Sequence, residues 1–127
     1  MTDRTMVEQL VKQLHSTRIE GHLDQLCALF AADASLRIAG TSDGKPIAIA
    51  ATGIAAIRPW LSMLVKAFRL SGYERLSTVI DGSSSAVHWR VDIHSKVTGK
   101  LVATELVDLI EVRGDQILRY TEFFMPC

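Results

Sequence analysis

Between residues 86 and 94 the side chains alternate without a break. Val87, Trp89, Val91 and Ile93 fall on one parity, and His88, Arg90, Asp92 and His94 on the other. A period of two belongs to the β-strand, whose successive side chains point to opposite faces. Such a strand needs an apolar layer against one face and accepts water on the other, so this chain must build a sheet covered on one side. The rest of the second half reads the same way. Residues 73–80 form a strand that stops at Asp81-Gly82, residues 101–112 form a long strand, Gly114-Asp115 is a turn, and residues 116–124 close the sheet.

The layer that covers the sheet comes earlier in the chain. Residues 3–15 have helical period, with Met6, Leu10 and Leu14 on one face, Val7 and Val11 beside them, and Thr2 or Asp3 as N-cap. Beyond Gly21 a short helix over 22–30 carries Leu23, Leu26, Cys27 and Phe30. Residues 34–39 read as a strand. Ser42-Asp43-Gly44-Lys45 is a hairpin turn between 36–39 and 47–50, because Asp-Gly supplies the positive φ angles of a two-residue loop. A third helix follows Gly53, runs to about residue 70 and buries Ile57, Trp60, Leu61, Leu64 and Phe68. Pro59 either kinks it or marks where its regular part begins. Helices first and long strands afterwards predict an α+β fold: a curved antiparallel sheet with three N-terminal-side helices, enclosing a cone-shaped pocket.

Length and charge narrow the functional classes. One ordinary domain spans residues 1–127, with 48% hydrophobic and 22% charged residues, which are globular values. Fourteen basic residues balance fourteen acidic ones, so the cationic surface that nucleic-acid binding needs is missing in bulk. No stretch of about 18 apolar residues is present. Asp3, Arg4 and Glu8 occupy the place where a secretory leader would be apolar, and Cys27 and Cys127 make no disulfide framework. These readings predict a cytoplasmic protein with reduced thiols, no nucleic-acid or membrane partner, and no metal or cofactor.

Three segments carry a resemblance over nearly the whole chain. They are Gly21-His22-Leu23-Asp24 with Ala28-Leu29-Phe30-Ala31-Ala32-Asp33-Ala34, then Gly53-Ile54-Ala55-Ala56-Ile57-Arg58 with Trp60, and finally Gln116-Ile117-Leu118-Arg119-Tyr120 with the terminal Glu122-Phe123-Phe124. In order and spacing they resemble the nuclear-transport-factor-2-like superfamily, in its SnoaL-like and ketosteroid-isomerase-like branch. The resemblance implies a cystatin-like sheet, and a fold that hosts isomerases, cyclases, hydrolases, dehydratases and proteins with no chemistry. Carrying over the isomerase's residues puts its general-base Asp on Ile38 and its phenol donor on Leu14. Only its third polar group finds a match, in Asp108. Steroid isomerisation by that mechanism is therefore not expected. The resemblance also makes Trp60 pocket-lining and implies a homodimer through the outer sheet face, where Ala103, Glu105, Val107, Leu109 and Glu111 alternate with the inner residues.

If Asp108 faces inward, Thr104 and Leu106 share its face. The family alignment turns Leu118, Tyr120, Glu122 and Phe124 inward on the last strand. Asp108 and Glu122 then become neighbours in a pocket walled by Leu14, Ile38, Trp60, Trp89 and Phe124. Two carboxyls in an apolar site cannot both ionise cheaply, so at least one pKa rises, and an acid beside a base is the minimum for proton transfer. The expected function is cofactor-free isomerisation, cyclisation or dehydration of a small apolar organic compound. Asp108 and Glu122 carry it in this reading, and Tyr120 and Thr104 assist as hydrogen-bonders. The alternative from another class is a non-catalytic ligand-binding or dimeric interaction module.

A further reading uses the other parity. Arg90-Val91-Asp92 with Glu122, and the ending Tyr120-Thr121-Glu122-Phe123-Phe124, resemble limonene-epoxide-hydrolase-like members, which open an epoxide with water held by an Arg between two carboxylates. The Tyr and Asn that hold water in that family are replaced near Leu36 and Ile38. A one-residue slip separates the two readings, because it swaps the face that strand 86–94 presents. The apolar Trp89, Val91 and Ile93 favour the first. His88, Asp92 and His94 share a face with Arg90 and read as a polar stripe rather than a metal site. His15 and His22 read as helix-end residues that cap or meet solvent, and Cys27 as a small core residue.

Overall fold

A computed structural model describes residues 4–127. The N-cap expected at Thr2 or Asp3 lies outside them. The chain order is α1 (Arg4–Glu20), α2 (Leu23–Ala28), β1 (Phe30–Ser42), β2 (Lys45–Thr52), α3 (Ile54–Lys66), β3 (Phe68–Asp81), β4 (Ser84–Ser95), β5 (Leu101–Arg113) and β6 (Gln116–Pro126). The first helix runs a full turn past the expected residue 15. The third stops at Lys66, so Phe68 opens a strand instead of closing the helix. Phe30 likewise belongs to β1.

The six strands form one curved, unclosed sheet in the order β2-β1-β6-β5-β4-β3. Neighbours run antiparallel, with one departure from expectation: β1 and β6 run parallel, Ile38 opposite Glu122 and Leu36 opposite Tyr120. The β1–β2 hairpin has the predicted two-residue loop. Ser42 pairs with Lys45, and both Asp43 and Gly44 have positive φ (52° and 76°), which is the twist a tight hairpin requires. Gly40 is needed for a different reason. A Cβ there would stand 2.4 Å from the Phe124 carbonyl oxygen and 2.7 Å from its ring, so only glycine lets β1 and β6 pass this close.

Extra residues bend the sheet. In β3, Ser71 pairs with Asp92 and Glu74 with Arg90, leaving one unmatched residue around Gly72-Tyr73; a second lies between Arg75 and Ser77. In β6 the unmatched residue is Leu118, because Arg119 faces Glu111 while Ile117 faces Val112. This bulge corrects the inward placement of Leu118: Ile117 is fully buried in its stead, and the parity from Tyr120 onward stays as expected.

The helices pack on the concave face. Val7, Val11 and Leu14 of α1, Leu26 of α2, and Ile57 and Leu61 of α3 meet Leu36, Val87, Trp89, Val91, Leu106, Ile110 and Ile117 of the sheet. Burying one Leu or Ile side chain in this way stabilises by roughly 1.5–3 kcal/mol. Trp60 departs from expectation. Ile57 and Leu61 lie four apart and aim at the sheet, so Trp60, about 100° around the helix from Leu61, is left 36% exposed and lines no interior wall. Among the described residues no helix is long and apolar enough to cross a membrane.

Candidate functional site

The strand register sets the site. Asp108 of β5 and Glu122 of β6 are direct cross-strand partners, and Thr104, Leu106, Asp108 and Ile110 alternate inward on β5. Tyr120, two residues before Glu122, shares its face. Both carboxyl groups are enclosed, Asp108 at 0% and Glu122 at 2% exposure.

Around them stand two residues of α1: His15, expected as a helix-end group, and Arg18, which lies beyond the expected end of the helix. Arg18 Nη1 donates to Glu122 Oε2 and, at 2.9 Å, to the Tyr120 hydroxyl; that hydroxyl in turn donates to Glu122 Oε2. His15 Nε2 lies 2.8 Å from Asp108 Oδ2, and the Trp89 indole N–H donates to the same oxygen at 2.9 Å. His15 Nδ1 meets the Tyr73 hydroxyl at 2.7 Å. Trp89 forms the floor: its ring lies 4.4 Å from the His15 ring and 5.4 Å from the Arg18 guanidinium carbon. Two buried polar atoms of the group lack a partner, Asp108 Oδ1 and Arg18 Nε.

His15 is thus no cap but a buried core group at 2% exposure, as is Arg18 at 6%. The signal was present. Continued past Leu14, the stripe of Val7 and Val11 leads to His15 and Arg18 at helical spacing, so α1 carries two titratable side chains on its buried face. Tyr73 had no such signal, because the β3 bulge decides where it points.

The electrostatics follow from burial with one fixed cation. Loss of water, partly offset by Arg18, pushes Asp108 up from 3.8 to about 6 and Glu122 from 4.5 to about 7; the Asp108 charge adds to the rise at Glu122. Burial works against the Arg18 charge, but Glu122, Tyr120 and Asp108 outweigh it and hold the guanidinium protonated. Burial, reinforced by Arg18, depresses His15 from 6.5 to about 3, so its ring is neutral. Burial and the nearby carboxylates raise the Tyr120 phenol well above 10. One cation among two carboxyls balances when a single proton sits on the pair. That proton also supplies what Asp108 Oδ1 lacks, a hydrogen-bond partner in Glu122.

The other sequence-derived residues divide. Leu14, Ile38, Trp89, Leu106 and Tyr120 are buried with the carboxyls, and Phe124 is half-buried beside them. Thr104 is buried, but its hydroxyl donates to the Val102 carbonyl on its own strand, 3.1 Å away, rather than to the acids. Arg90 and Asp92 sit on the opposite sheet face from Glu122, since Trp89 and Val91 take the inner positions. The set Arg90, Asp92 and Glu122 is therefore not assembled, and the epoxide-hydrolase reading built on it falls. Two hollows, of about 420 and 300 Å3, open on the outer face; the smaller is lined by His88, Glu105, Val107, Phe123 and Met125.

Residues 8–120 match the model of the SnoaL-like domain. The chain belongs to that family. A search of curated proteins finds no significant match. Among solved structures, a Bacillus subtilis protein assigned as an isomerase superposes with a TM-score of 0.82 at 20% identity, over 98% of this chain and 89% of that one. A Mesorhizobium loti protein assigned as a SnoaL-like polyketide cyclase gives 0.69 at 20% identity, over 96% and 98%. An LEH-like epoxide hydrolase of M. tuberculosis gives 0.72 at 12%, over 94% and 83%. At these identities the likeness establishes the fold, and the chemistry has to be argued from the site.

Proposed function

We propose that this SnoaL-like chain is a cofactor-free acid–base enzyme of the isomerase, cyclase or dehydratase type, acting on a small apolar organic compound with Asp108 and Glu122. The observation that carries the reading is the cross-strand pairing of two wholly buried carboxyls around one guanidinium. With pKa values near 6 and 7, the pair shares a single proton just below neutral pH, so an acid and a base stand side by side. Glu122, with the higher proton affinity of the two, is placed to hold the shared proton and present it to a carbonyl or hydroxyl oxygen. Asp108, walled by Trp89, Leu106 and Leu14, is placed to take a proton as the carboxylate. Neighbours assigned as an isomerase and a cyclase are compatible with this class.

The test is proton–deuterium exchange at the carbon next to the carbonyl in a panel of small cyclic ketones. Exchange above the buffer rate is expected, and Asp108→Asn and Glu122→Gln should each reduce it by about 10²–10⁴-fold. Exchange at the buffer rate, or unchanged in both variants, refutes the reading.

A second reading, a dimeric interaction module without turnover, is favoured by a specific feature. Each carboxyl is already bonded to protein groups, and the outer sheet face leaves Val107, Leu109, Phe123 and Met125 37–62% exposed. A second copy of the chain on that face, related by a two-fold axis, would cover them. Light scattering at micromolar concentration should then give a dimer mass that a charge at Val107 (Val107→Lys) halves; a monomeric wild type removes this reading.

A further inference from the structure

Among the described residues, four side chains bond to the two buried carboxyls: Arg18, Tyr120, Trp89 and His15. Only one of them leads toward water. Arg18 does not release its proton, the indole N–H of Trp89 only donates, and Tyr120 is 1% exposed. His15 is buried as well, but its second ring nitrogen meets Tyr73, which is 37% exposed. The line Tyr73–His15–Asp108 has steps of 2.7 and 2.8 Å and joins three elements, β3, α1 and β5. The β3 bulge around Gly72-Tyr73 brings the phenol to its end. Gly72 has φ 64°, and a Cβ there would stand 2.9 Å from Asp92 Oδ2, so the bulge is built for glycine.

We infer that Tyr73, His15 and Asp108 form the path by which the buried carboxyl pair exchanges protons with solvent, His15 changing tautomer each time Asp108 gains or loses its proton. The path rests on the acid–base role proposed for the pair. With Asp108 ionised, Nε2–H donates to Oδ2 and the Tyr73 hydroxyl donates to Nδ1. To load Asp108, a solvent acid gives a proton to the Tyr73 oxygen, the phenolic proton passes to Nδ1, and the Nε2 proton passes to Oδ2. The phenol and the imidazole each end with as many protons as they began with. The solvent acid has lost one proton, and Asp108 has become a carboxylic acid whose O–H donates to Nε2, while Nδ1–H donates to Tyr73. Unloading reverses each step. The groups facing His15 suit a neutral ring: Glu8 and Arg18 on α1, Arg75 on β3, and Glu122 on β6 supply both signs of charge, and Trp89 on β4 closes the flat side.

The experiment is NMR of the full chain with its histidine ring nitrogens labelled, read beside the carboxyl carbon of Asp108 through a pH titration. The proton of the His15 ring is expected to sit on Nε2 at high pH and on Nδ1 at low pH, with a midpoint coincident with that of Asp108. In Tyr73→Phe, which keeps the ring and its packing, the Nδ1–H form loses its acceptor and the switch is expected to be lost. A titrating Asp108 beside a His15 that stays on Nε2, or that becomes doubly protonated in step with it, overturns the path and leaves the carboxyl pair intact. An Asp108 that titrates like an exposed carboxyl overturns both. A switch that survives in Tyr73→Phe removes Tyr73 from the path.

Discussion

Arg18 with Glu122 and Arg113 with Asp33 are the same pair of functional groups in two surroundings. Arg113 holds Asp33 through two hydrogen bonds of 3.0 and 2.5 Å, a geometry as good as any in the molecule, yet the side chains are 56% and 64% exposed. Water solvates both partners when they part, so the pair adds little to stability. Arg18 and Glu122 are 4% and 3% exposed. There the cation sets the proton count of two carboxyls, orients a tyrosine and lies over a tryptophan. The exposed pair even has the fuller geometry, two bonds against the single Arg18–Glu122 contact; the dielectric surroundings make one a surface clasp and the other a site with perturbed proton affinities.

The comparison breaks most readily at Arg18. Arg18→Met is expected to lose about 3–5 kcal/mol at neutral pH, measured by urea denaturation, because it strands a buried carboxylate. The loss should shrink in acid, where the carboxyls take up protons, and adding Glu122→Gln should recover part of it. Equal losses at both pH values would mean that packing, not charge, is what Arg18 supplies.

A smaller effect comes from pH alone. Asp108 and Glu122 bind protons more tightly folded than unfolded, with values near 6 and 7 against 3.8 and 4.5. Their contribution to stability is fully present below about pH 4 and is lost as pH rises through 6 and 7. His15 acts in the opposite sense: depressed from 6.5 to about 3, it costs stability as pH falls through that interval. Two carboxyls outweigh one imidazole across the middle of the range, so denaturation midpoints should be higher near pH 5 than near pH 7.5. The slope should steepen in His15→Gln and flatten in Asp108→Asn. A midpoint that rises steadily from pH 5 to pH 7.5 would sink the assignment of raised carboxyl pKa values.

Least of all is expected from Arg113→Ala, which should leave the urea midpoint within error at any pH. A clear destabilisation there would show that exposure is not what separates the two pairs.

How much of this was legible beforehand differs by element. Strand 86–94 fixed its own inner face, since Val87, Trp89 and Val91 have no alternative to burial. The inward placement of Asp108 and Glu122 came from the family resemblance, and the Leu118 bulge is what sets Glu122 opposite Asp108. The Leu118 bulge could not be read, because an unmatched residue depends on the partner strand and not on its own sequence. Trp60 was misplaced because an aromatic near an apolar stripe scores as core until the helix's rotation is known. His15 stood at the expected end of the helix and Arg18 beyond it; the last turn of α1, to Glu20, is what places both on the buried face.

By itself, the sequence determined the order of elements, the covered sheet face and the tight Asp43-Gly44 hairpin, because periodicity and turn chemistry act over a few neighbouring residues. Only the tertiary structure decided that Arg18 from α1 would meet Glu122, and that Tyr73 from a bulged β3 would meet His15 beside Asp108. Arg18 and Glu122 lie 104 positions apart, and His15 and Tyr73 lie 58. Which groups share a dry space, and so how each holds its proton, depends on where helix and sheet come to rest against one another, and no local pattern encodes that distance.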